Sequence, residues 1–245
     1  ATIFVNGGCT MQYDKDTKMT NTTIVLKSSA TLEYNNSDGT GVMIPEGCTI
    51  YCTNPKNNVV AKGLIKIDGN LYADFRGKTS QDKDLSTGLG AIKETSSEEK
   101  EKSITPTQDI TFGPKANVYI NGSIRAINLN VESGANVYAA GNLFNNDANG
   151  NSTINGNLWV KGFVKARTLD VNGYLKSETA IKVTNQFNVN NGANVEASYI
   201  NVTNNTKDGQ KVIEKGEATL TLNGTGKITI GNKNVITANN LVTDN

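Results

Sequence analysis

The chain has no histidine, only four prolines, three cysteines, and no long run of apolar residues. The missing histidine removes the commonest general base and the commonest metal ligand, leaving Asp, Glu, Lys, Arg and Tyr for any chemistry. Cys9, Cys48 and Cys52 form no CxxC pair, so neither a structural zinc site nor a Cys/His nucleophile is expected, and no metal or cofactor is assigned. Cys48 and Cys52 lie about 13 Å apart if they share a strand, too far for a disulfide, and all three read as free buried thiols. No segment reaches 18 apolar residues, and residues 1–20 lack a basic stretch followed by an apolar one, so no membrane span or export signal is read. Charge of either sign is not in excess, with 24 Lys and Arg against 23 Asp and Glu, so nucleic acid and anionic membranes are not expected partners.

What is abundant is asparagine, at 35 of 245 residues, with 24 glycines. Both favour turns over helix interiors, and helical runs of Leu, Ala, Glu and Lys are missing; the class is all-β. A heptad recurs: small residue, Thr or Asn, aliphatic, any, small or aliphatic, any, often Gly. It reads ATIFVNG from 1, ATLEYNN from 30, CTIYCTN from 48, GNLYADF from 69, ANVYING from 116, ANVYAAG from 135, GNLWVKG from 156, GYLKSET from 173, ANVEASY from 193, ATLTLNG from 218 and NVITANN from 234. A buried-type residue stands four positions earlier in many copies, as with Ile44, Phe112, Val131 and Val189.

Alternation at period 2 makes each copy a strand with one buried face, and a single coil cannot bury that face alone. Stacking does, each strand pairing with its equivalent one coil later, about 4.8 Å along the axis. The pattern predicts one parallel β-helix over residues 1–245, with about 10 to 12 coils of about 20 residues, right-handed by the preference of parallel crossovers. A β-sandwich is the alternative, although it does not require this period. Residues 78–109 are charged and read as a loop leaving the rod, with a short helix near SSEEKEK; residues 203–217 read as a smaller excursion. ATIFVNG starts inside a coil, which reads as a cut from a longer protein or an edge covered by a neighbour.

The fourth heptad position faces outward and reads Phe4, Glu33, Tyr51, Tyr72, Tyr119, Tyr138, Trp159, Lys176, Glu196, Thr221 and Thr237. Six of 15 aromatics share this column. Tyr51, Tyr72, Tyr119, Tyr138 and Trp159 are the candidate binding residues for glycans or a protein partner; the plain alternative is that they stabilise successive strands, as cross-strand pairs do. The second position reads Thr2, Thr31, Thr49, Asn70, Asn117, Asn136, Asn157 and Asn194, whose stacked amides are expected to form a ladder. Asp68 and Asp74 with Arg76 are the nearest approach to an acid/base cluster and fit no motif, so no catalytic residue is assigned.

These coils resemble the β-solenoid regions of secreted and surface, adhesin-like proteins of Bacteroides-type bacteria. The resemblance implies a bacterial cell-surface or extracellular scaffold. A polysaccharide-active enzyme or carbohydrate binder on the same fold is the alternative. NGNLWVKGFVKARTLDVNGYLKS also resembles bactofilins, which implies a filament subunit and end-to-end or side-by-side self-association.

Overall fold

The structure, a computed structural model, describes residues 1–74, 88–90, 92–95, 103–145, 149–204 and 218–244. Those residues form strands and turns and contain no helix; the fold is a parallel β-helix built from three ladders.

The first ladder stacks ten strands: Thr2–Val5, Thr23–Leu26, Thr49–Cys52, Asn70–Ala73, Asn117–Ile120, Asn136–Ala139, Asn157–Val160, Tyr174–Ser177 and the opening halves of Asn194–Val202 and Lys227–Ala238. The second runs through Ile65–Ile67, Ile110–Phe112, Leu129–Val131, Asn151–Ile154, the later halves of Val164–Val171 and Ala180–Val189, then Thr219–Asn223 and Asn240–Asp244. The third begins at Gly88–Leu89 and continues through Ser123–Arg125 and Leu143–Asn145 into the other halves of the long strands. Where a long strand passes from one ladder to the next its register slips, between Ala166 and Thr168 and again between Ala197 and Tyr199.

Alternation supplies the core. Inward residues of the first ladder (Ile50, Leu71, Ile120, Leu158 and Leu175) meet Phe112, Val131, Leu169 and Phe187 of the second and Leu143, Val164 and Ile181 of the third in one continuous cluster. The residues expected to be buried four positions before the heptad, Ile44, Phe112, Val131 and Val189, are fully buried. A turn then swings the chain onto the first ladder: Cys48 N–H donates to Pro45 O, Ala135 N–H to Glu132 O and Ala193 N–H to Asn190 O. Gly47, Gly134 and Gly192, third in each turn, have φ of +77°, +96° and +79°, which a side chain would resist.

The heptads do not all fall on one face. ATLEYNN lies in a separate parallel sheet of Thr10–Asp14, Thr31–Asn36 and Asn58–Gly63, so Thr31 and Glu33 are outside the first ladder. Thr221 belongs to the second ladder and Thr237 to the third. In the outward column Val25 stands between Phe4 and Tyr51, and Thr229 follows Glu196. Within the 78–109 excursion, Gly88–Leu89 returns to the rod beside Ser123–Arg125, and Ile92–Thr95 pairs antiparallel with Ser103–Pro106. The helix expected at SSEEKEK, residues 96–102, falls outside the described residues, as do Arg76 and residues 205–217. The opening heptad is inside a coil as expected, with Thr2–Val5 paired to Thr23–Leu26.

Candidate functional site

On the first ladder, residues two apart point to the same side, so each coil from Thr49 to Asn157 carries an amide or hydroxyl and, beside it, an outward ring. Register stacks these into two parallel ridges. Tyr51, Tyr72, Tyr119, Tyr138 and Trp159 occupy consecutive coils of one ridge. Thr49, Asn70, Asn117, Asn136 and Asn157 occupy the other.

The aromatic ridge is made of separate groups. Tyr51 and Tyr72 stack with ring centroids 5.0 Å apart and planes 11° from parallel, and Tyr119 and Tyr138 do the same at 5.0 Å and 12°. Trp159 meets Tyr138 edge-on at 5.4 Å and 86°. Tyr72, Tyr119 and Trp159 keep 41%, 45% and 40% of their surface exposed. Lys176, one coil on, sets its ammonium 4.8 Å from the Trp159 ring centroid and 3.7 Å from Glu196, and the Trp159 indole N–H donates to Glu178 at 3.2 Å.

The amide ridge is a hydrogen-bonded ladder from Asn70 to Asn157, as the sequence predicts, but Asn194, separated from Asn157 by Tyr174, does not join it. Asn157 Nδ2 donates to Asn136 Oδ1 at 2.9 Å, Asn136 to Asn117 at 3.4 Å, Asn117 to Asn70 at 3.3 Å, and Asn70 to the Thr49 hydroxyl at 3.1 Å. A second ladder, of Asn223, Asn190, Asn172 and Asn155, has every step at 2.8 Å.

Between the ridges lies a trough of about 430 Å³, walled by Tyr119, Tyr138 and Trp159 on one side and Asn117, Asn136 and Asn157 on the other. Tyr72 and Tyr174 stand at its ends. Tyr174 was not among the residues singled out from sequence; it takes the place of an Asn in its column, paired with Asn157. Burial, then the charge and hydrogen bond of Glu196, raises the Tyr174 pKa above the ordinary phenol value, and burial with Tyr119 and Glu178 raises that of Tyr138. Both therefore stay neutral in ordinary buffers. Of the five residues chosen from sequence, the trough gathers Tyr72, Tyr119, Tyr138 and Trp159 but not Tyr51, which stacks behind Tyr72.

Other candidates disperse. Asp68 pairs with Lys66 at 3.9 Å, whereas Asp74 accepts from Asn121 at 2.8 Å one strand away. Cys48 and Cys52 are buried and free, and burial pushes the Cys52 thiol up to about 12. Cys9 is also free but exposed, contrary to the expectation of three buried thiols. No cluster of three potential metal ligands occurs among the described residues. Comparison with known proteins found no matching family model, curated protein or solved structure.

Proposed function

We propose that the protein is a non-enzymatic scaffold of the bacterial cell surface or exterior, adhesin-like, whose trough holds an extended glycan. The observation that carries the reading is the pairing of a ridge of aromatic rings, exposed at Tyr119 and Trp159, with a wall of side-chain amides along three successive coils. Rings offer apolar surface to the C–H faces of a sugar, and amides offer hydrogen bonds to its hydroxyls. The coil rise, about 4.8 Å, is close to the length of one pyranose in an extended chain, so successive sugars meet successive ring–amide pairs. The resemblance of the coils to surface β-solenoids supports the location.

The test is a glycan array probed with the full chain and with a Tyr119→Ala, Tyr138→Ala, Trp159→Ala triple variant whose fold is checked by circular dichroism. Binding by the native chain that disappears in the folded variant supports the reading. Binding unchanged by the three substitutions, or no binding to any glycan, overturns it.

A further inference from the structure

The amide ladder limits what the trough can recognise. An Asn side chain has two N–H donors. Asn117 gives one to Asn70 Oδ1 at 3.3 Å and one to Lys115 O at 3.3 Å. Asn136 gives one to Asn117 Oδ1 at 3.4 Å and one to Gly134 O at 3.2 Å. In the middle of the trough the amide donors are spent, and each carbonyl oxygen keeps one lone pair. At Asn157 the ladder ends, because Tyr174 follows it in the column and has no amide to donate. The exposed Asn157 therefore presents a carbonyl oxygen with both lone pairs open, beside one N–H that the ladder does not use.

No charged residue lines the trough. Beyond its Trp159 end, the carboxylate of Glu178 accepts the indole N–H hydrogen bond, and Lys176 is shared between the Trp159 ring and Glu196. A carboxylate would bring acceptor-only oxygens against a wall in which only the second Asn157 N–H and the tyrosine hydroxyls can donate, with no cation lining it to offset its charge. A neutral glycan brings hydroxyls, which donate.

Resting on the glycan reading above, we infer that the trough selects uncharged, hydroxyl-rich glycans over acidic ones, and that Asn157 Oδ1, at the end of the amide ladder, is the principal acceptor that reads them. Asn157 accepts a hydrogen bond from a sugar hydroxyl while the exposed surface of the neighbouring Trp159 ring packs against the sugar.

The experiment titrates the full chain, by calorimetry, with matched oligosaccharides that differ at C6, one neutral and one charged: cellohexaose against the same chain oxidised at C6, and methyl-esterified against free hexagalacturonate. The expected result is that a neutral member binds at least about tenfold more tightly than its acidic partner. Asn157→Leu, and independently Tyr174→Asn, which supplies the missing rung and caps Asn157 Oδ1, each weaken that binding about tenfold while the circular dichroism spectrum is kept. Equal or tighter binding of the acidic partner overturns the selectivity and leaves the glycan reading standing. Neutral preference that survives both variants overturns the role of Asn157. Binding of no probe overturns this inference, and the glycan array alone decides the glycan reading.

Discussion

Replacing Asn136 by Asp exchanges one amide N for O in the middle of the ladder and leaves shape almost untouched. The bond accepted from Asn157 at 2.9 Å survives, because the new side chain still offers an oxygen there. The two donated bonds, 3.4 Å to Asn117 Oδ1 and 3.2 Å to Gly134 O, become contacts between acceptors. Each lost bond is worth about 0.5–1.5 kcal/mol, and the rung is exposed enough for water to intervene, so the lower half of that range applies and the total cost is about 1–2 kcal/mol at pH 7. Acceptors crowding a carboxylate raise its folded pKa above the unfolded value of about 3.9. A raised folded pKa contributes stability that is present below the unfolded pKa and lost as pH rises through the folded one. At pH 3 the protonated Asp can donate again, and the deficit relative to the native chain falls to under about 1 kcal/mol. Urea unfolding of the native chain, Asn136→Asp and Asn136→Ala at pH 3 and pH 7 checks this. The alanine deficit should be the same at both values. An Asp deficit independent of pH would refute a hydrogen-bonded ladder.

The buried Cys52 thiol, pushed up to about 12, is neutral in the fold through a range in which the unfolded thiol, near 9, ionises. Stability is therefore lost as pH rises above 9, and the advantage of the native chain over Cys52→Ala shrinks by about 1.4 kcal/mol between pH 8 and pH 10 in urea titrations. In the folded chain a thiol-specific chromophore should label Cys9 alone, with Cys48 and Cys52 reacting only after denaturation. Phe187 is fully buried in the second ladder, and Phe187→Ala should cost about 3–5 kcal/mol in the same unfolding assay. Gly173 admits no side chain, since a Cβ there would lie 2.3 Å from Gly156 O; Gly173→Ala should lower the midpoint by an amount equivalent to about 2 kcal/mol or more.

The class of fold was legible because a two-residue alternation repeated at coil spacing has few other solutions. The aromatic and amide columns were legible wherever coils are short, from Asn117 through Asn136 to Asn157, with steps of 19 and 21 residues. The face on which a heptad sits was not. A strand preceded by a tight turn looks alike on all three sides of the tube, so Glu33, Thr221 and Thr237 entered the wrong column while Val25, whose coil opens with Thr22 instead of a small residue, was passed over. The end wall at Tyr174 escaped because its place in the pattern is an exception. Glu178 as partner of the Trp159 indole depends on the turn after Ser177, which periodicity does not describe.

The in-register stacking of Asn117, Asn136 and Asn157 also makes the trough a ruler. Excising residues 136–156 would lay the strand of Asn157 directly on that of Asn117, with ring over ring and amide over amide, and shorten the rod by one rise of about 4.8 Å. Duplication of the same segment would lengthen it by one. Reach along a ligand is thus counted in whole coils, and a lineage could add or drop them without redesigning either wall.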